Sequence, residues 1–205
     1  MPGVKTRRKP AEIRRREILK AAGKVLVSRG YHNVHLDDVA AAAGLSKGTL
    51  YLYFKDKESL FAEVLEDVID RLEERLAGLS SDGGAREVLE RMAAEMLDFV
   101  DEHQDFLVQF SREKPDLCGK RAGNVLQRRY AGHLQFVAEA IGRGIEDGIV
   151  RKHDSMMGSL YFISLVRMFM LQKIMGGDKR PLRPRATEFM DLFLNGLGRG
   201  RAPHA

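Results

Sequence analysis

Apolar residues recur at intervals of three and four along almost the whole chain, the spacing of helices that each bury one face. Between residues 11 and 29, Ile18, Leu19, Ala22, Val25 and Leu26 share a face, while Arg14, Arg15, Arg16, Lys20 and Lys24 take much of the remainder. That predicts an amphipathic first helix, with Gly30 as its stop. Apolar-rich segments at 36–43 and 47–53 flank Gly44-Leu45-Ser46 and predict two short helices joined by three residues. Asp56 is placed to cap a fourth helix striped by Phe61, Val64, Leu65, Val68, Leu72 and Leu76, and Ser80-Ser81-Asp82-Gly83-Gly84 breaks the pattern.

Beyond the break the same periodicity predicts a helix over 85–103 and a shorter one over 106–114 that Pro115 closes. A long helix follows, marked by Leu126, Tyr130, Leu134, Val137, Ile141 and Ile145 and ending at Asp147-Gly148. Asp154 caps a run over 155–175 that is apolar almost all round, and 186–197 forms the last helix. No segment sustains strand alternation, so the expected class is all-α. The expected organisation is a basic arm (1–10), a helix-turn-helix domain (11–55), a connecting helix (56–80), a larger helical domain (85–198) and a tail (199–205).

The apolar run at 156–175 is long enough to raise the question of a membrane span. Arg167 just past its centre would cost about 2.5–3.5 kcal/mol there, and Lys173 adds a second charge. A helix buried in a bundle or a subunit interface fits better, and an apolar surface on every side points to oligomerisation.

Charge sharpens the picture. The 205 residues carry a net charge of +5, but the first 60 hold thirteen Lys or Arg against six Asp or Glu, leaving the rest slightly acidic. A basic first quarter suits a polyanion. Cys118 is the single cysteine, and six scattered histidines supply no metal quartet, so neither a disulfide nor a metal centre is expected. Met1 to Pro10 lacks the apolar core of a secretory signal, which leads us to expect a cytoplasmic protein.

The segment 36–53 concentrates the chemistry. Ala40 is small enough for two helices to cross closely, Gly44 can take a turn conformation with positive φ, and Ser46 can cap the next helix. Val39, Leu45 and Leu50 would then share the core, with Leu50, Leu52 and Phe54 as the apolar anchors of the third segment. Its other face would offer Lys47, Gly48, Thr49, Tyr51 and Tyr53: hydrogen-bond donors and a glycine that permits close approach. That is the equipment of a helix lying in the major groove of DNA.

The stretch Gly30-Tyr31, Leu36-Asp37-Asp38-Val39-Ala40 and the unbroken run from Ala43 through Phe61 closely resembles the TetR family of transcriptional regulators. The likeness covers about residues 11–65. It implies a three-helix DNA-binding domain, a larger helical domain for ligand and dimer contacts, and repression relieved by a small molecule. Carried over by position, it implies base contacts from Lys47, Gly48 and Thr49 and phosphate contacts from Tyr51, Tyr53 and Lys55. Where the family usually has Ser or Thr before the second helix, this chain has Val34 and His35, a poorer cap. The arm Lys5 to Lys9 is either a minor-groove arm or a solubilising tail.

The larger domain is rich in Met and Phe, side chains that suit a pocket for varied apolar ligands. Met92, Met96, Phe99, Phe110, Tyr130 and Phe162 are the candidate lining residues for a hydrophobic or amphipathic effector. No cofactor is expected. Catalysis has little support, since Cys118, His103, His133 and His153 sit in no nucleophile or metal motif and Gly142-Arg143-Gly144 follows no strand. The expected protein is therefore a homodimer, its last two helices pairing as a four-helix bundle. It would repress transcription from a palindromic double-stranded DNA operator and be released by its effector. The alternative is a carrier or sensor of lipid-like ligands whose basic domain meets anionic membranes.

Overall fold

A computed structural model describes residues 10–80, 82–112, 119–176 and 180–197, and among them every regular element is helical. The basic arm up to Lys9, Pro115, Cys118 and the tail 199–205 lie outside the described residues. The helices run in the order α1 (Ala11–Arg29), α2 (Leu36–Ala42), α3 (Lys47–Tyr51), α4 (Lys57–Ala77), α5 (Ala85–Glu102), α6 (Gln104–Arg112), α7 (Gly119–Glu146), α8 (Ser155–Gly176) and α9 (Ala186–Asn195). The chain divides into two units, Met1–Val68 with Val108–Val125, and Ile69–Leu107 with Leu126–Ala205.

In the first unit Ile18, Ala22 and Leu26 of α1 are buried with Val39 and Ala40 of α2, Leu50 of α3 and Phe54. Gly44 has a φ of 66°, as the turn between α2 and α3 demands. The loop after α1 is tied down by Lys57, whose Nζ donates to the carbonyl oxygens of Tyr31 (2.7 Å) and Val34 (3.1 Å) and lies 4.5 Å over the Tyr31 ring.

The third helix is shorter than its pattern suggested, and Leu52 is not an anchor: 82% of it is exposed. After Tyr51 the backbone tightens, with the amides of Tyr53 and Phe54 both donating to the Leu50 carbonyl. That turn sends Phe54 into the core and Leu52 out of it. The turn before α3 is likewise one residue longer than expected, since α2 ends at Ala42.

The second unit buries Leu89, Met92, Ala93 and Leu97 of α5 against Val137 and Ile141 of α7, Phe162 and Phe169 of α8, and Phe189 and Met190 of α9. Phe162 and Phe189 meet edge to face at 4.7 Å. A Cβ at Gly158 would come within 2.6 Å of His153 Nε2 and 3.1 Å of Ile141 Cγ2, so this residue is what lets α8 approach α7. Asp154 caps α8 by accepting the Met157 amide at 2.8 Å. Lys173, only 6% exposed, pairs with Asp101 of α5 and donates to the Arg180 carbonyl, while the same carboxylate accepts the Leu182 amide.

The apolar circumference of α8 resolves into two faces. Phe162, Ile163, Val166 and Phe169 are buried, whereas Met157, Tyr161, Ser164, Met168, Leu171 and Met175 are exposed. The exposed set repeats at alternating intervals of four and three, the spacing of a helix seam. No described helix is long and apolar enough to cross a membrane.

Candidate nucleic-acid interface and ligand cavity

Local sequence fixes the start of both short helices. Ser46 Oγ accepts the Thr49 amide at 3.2 Å and lies 2.8 Å from the Thr49 hydroxyl, so α3 begins with one of its orphan donors satisfied. At α2, the weak cap His35 is supported by Asp38, whose carboxylate accepts the His35 amide at 3.0 Å and lies 2.5 Å from Arg29. The amide bond from His35 is the main reason that the Asp38 carboxyl is held below its ordinary range, with Arg29 adding to it.

On α3, Lys47, Gly48 and Tyr51 are exposed and Thr49 half-exposed, with half-buried Tyr53 and exposed Lys55 just beyond. These six lie on one short segment. A Cβ built on Gly48 would meet nothing within 4 Å, so packing within the protein gives no reason for a glycine there. Lys47 Nζ lies 2.9 Å from Asp37, a bond that raises the lysine pKa, and 5.9 Å from the centre of the Tyr51 ring. Sequence reasoning did not foresee Asp37 as the partner of this cation. After Lys55, Asp56 caps α4 through the Ser59 amide at 2.7 Å, the bond chiefly responsible for a lowered carboxyl pKa.

The six effector candidates are placed differently from one another. Met92, Met96 and Phe162 are buried in one cluster, and buried Phe99 stacks on His103 at 4.0 Å. Phe110 is half-buried in the first unit, and Tyr130 is 40% exposed in the second. None of the six lines the cavity of about 460 Å³ that opens between α4 and α7 in the second unit. From α4 that cavity takes Glu73, Leu76 and Ala77. From α7 it takes Arg128, Arg129, Gly132, His133 and Phe136. Arg129 bonds to Asp70 and lies 2.8 Å from Glu73, yet its Nε is buried without a hydrogen-bond partner. Burial pushes the His133 pKa down. The signal available in the sequence was a basic pair one turn before a histidine on the face of α7 that holds Phe136.

A larger cavity, about 600 Å³, lies where α8 and α9 meet the α7–α8 connection, and Met157, Tyr161 and Leu165 form part of its wall. Among the described residues no group of three or more His, Cys, Asp or Glu could hold a metal ion.

A capped helix-turn-helix on a helical body, presenting an exposed polar and cationic face on its second short helix, defines the class: DNA-binding transcriptional regulators. Residues 18–64 match the family model of bacterial regulatory proteins, tetR family. The fatty acid metabolism regulator protein of Bacillus subtilis (strain 168) is 24% identical over 88% of this chain and 94% of its own length. The regulator FadR of Bacillus subtilis, solved in complex with stearoyl-CoA, superposes with a TM-score of 0.73 at 22% identity, covering 89% of this chain and 99% of that one. AibR, solved in complex with isovaleryl coenzyme A and operator DNA, gives a TM-score of 0.68 at 21% identity over 88% of this chain and 98% of its own. The whole chain thus has the fold of these regulators.

Proposed function

We propose that the protein is a ligand-responsive transcriptional repressor that binds a palindromic operator as a homodimer and is released by an amphipathic small molecule. The observation that carries the reading is Gly48. A glycine that weakens a helix, with open space at its Cβ and a capped helix start beside it, is accounted for by the close approach of a partner from outside. In this reading residues 11–55 are the DNA-binding domain. Lys47, Gly48 and Thr49 meet bases, and Tyr51, Tyr53 and Lys55 meet phosphates. Residues 85–198 hold the effector and the dimer contacts. The exposed seam on α8 supports the dimer, since an apolar row at heptad spacing is stabilised by a second copy of itself. The coenzyme A thioesters bound to the two structural neighbours make acyl-CoA the first effector class to try.

Selection of sites from random duplex DNA at two salt concentrations tests the reading. A palindromic consensus that survives the higher salt is expected, and binding that is blind to sequence and lost with salt would overturn it. Lys55→Ala should weaken all duplexes alike and lower the log–log salt slope by about 0.9, whereas Thr49→Ala should change base preference. Transcription from a promoter carrying the selected duplex should fall when the protein is supplied and recover with effector. A rise on supply would make the protein an activator.

A further inference from the structure

Two positions on α3 have no account in the packing of the protein. Gly48 and Leu52 stand about one turn apart, two residues to either side of Leu50, and so share the face turned away from the core that Leu50 enters. Leu50 is fully buried. Leu52 is 82% exposed, more than any other large apolar side chain among the described residues of the first unit. It keeps helical backbone angles (φ −70°, ψ −24°), so it continues the surface of α3. Lys47 and Tyr51 border this face on one side, the lysine Nζ 5.9 Å from the ring centre, and Thr49 borders it on the other. A polar and cationic rim thus surrounds an apolar centre, and the open space over Gly48 gives an incoming surface access to it.

We propose that Leu52 reads a thymine in each half-site, its methyl groups packing on the 5-methyl of the base, a role that rests on the operator reading above. In the major groove the bases present hydrogen-bond donors and acceptors, and thymine alone adds an apolar group. A leucine side chain neither donates nor accepts, so the 5-methyl is the one base feature there that it can favour. Gly48 serves the same contact: with no side chain between the backbone and the groove, α3 comes close enough for Leu52 to reach the base. Folding leaves the apolar surface of Leu52 in water, and docking on the methyl removes it. Leu52 therefore adds a base choice beyond those of Lys47 and Thr49, made by shape and burial.

The test uses the full chain and the duplex selected for it. Exchanging thymine for deoxyuridine, one position at a time and in both half-sites together, removes only the methyl group. At one position per half-site the exchange should weaken binding by about fourfold for each methyl lost, about fifteenfold for the pair. Cytosine at that position should bind poorly, and 5-methylcytosine should recover part of the loss. Leu52→Ala should weaken binding to the thymine duplex to a similar extent and erase the response to deoxyuridine there. A fresh selection with this variant should lose that thymine and keep the rest of the consensus, and its melting temperature should match the parent, because the side chain is exposed. A palindromic consensus in which no thymine responds to deoxyuridine, or a response that Leu52→Ala leaves intact, would overturn the assignment and leave the operator reading standing. Leu52→Ala weakening every duplex alike would make Leu52 a backbone contact and overturn it too. A thymine response that Leu52→Ala erases, found in a consensus without two-fold symmetry, would keep the assignment and sink the palindromic operator. Binding blind to sequence would overturn both.

Discussion

Burial pushes the pKa of His133 and His103 below the ordinary value, opposed at His103 by the hydrogen bond to the Phe99 carbonyl. Their folded pKa values lie below the ordinary 6.5, so the unfolded chain binds more protons between the two values and stability rises with pH across that interval. The penalty is absent well above 6.5 and grows as the pH falls through it. The melting temperature should therefore drop between pH 7.5 and 5.5, and His133→Gln should flatten that drop. Asp38 and Asp56 act lower on the scale. Their depressed carboxyl values give stability that is present above the ordinary 3.8 and is lost as the pH falls below it through the depressed values. Ser46→Ala removes the α3 cap and should cost about 1 kcal/mol in urea unfolding, with weaker DNA binding but an unchanged consensus. The role of Ser46 was legible in sequence, because capping is decided within three residues. Asp38 was not credited with rescuing the weak His35 cap, since its return bond becomes apparent only once the helix is in place.

Elements were legible wherever one face alone was apolar, as in α1, α5 and α7. Reading failed where an element's end depended on the chain around it. Leu52 fits the period of α3, but the bonds to the Leu50 carbonyl end the helix first. In α8 every face is apolar, so periodicity could not separate the core side from the seam. The effector candidates are Met and aromatic side chains, which fill cores as readily as pockets, and four of the six are buried. His133 was set aside for want of a nucleophile or metal motif, and Arg128 and Arg129 were not singled out because a polar residue on an amphipathic helix reads as solvated, so the cavity that the three line was not foreseen. Two element-scale outcomes follow. Met168→Glu puts a charge on a residue 60% exposed in the seam and should convert a dimer to a monomer in sedimentation, with little loss of monomer stability. Lys173→Met leaves the half-buried Asp101 carboxylate without its lysine and should cost about 3 kcal/mol, much of it recovered by adding Asp101→Leu.

At the scale of the molecule, basic charge is gathered in the first sixty residues and apolar surface on α8. The two suit different partners, a polyanion and a second apolar helix. The second unit is tied internally by the ion pairs of Asp70 and Glu73 with Arg129.

The clasp of Lys173 on Asp101 and Arg180, with Leu182 on the same carboxylate, fixes both ends of the connection from α8 to α9 independently of what lies between. Lengthening a connection whose ends are already held costs little, about 0.6 kcal/mol for each doubling. A short glycine-serine insert carrying a peptide tag after Gly177 should therefore leave the melting temperature within a few degrees of the parent. The protein would then have an internal handle for immobilisation or for a fluorophore, well away in sequence from α3 and its exposed cationic face.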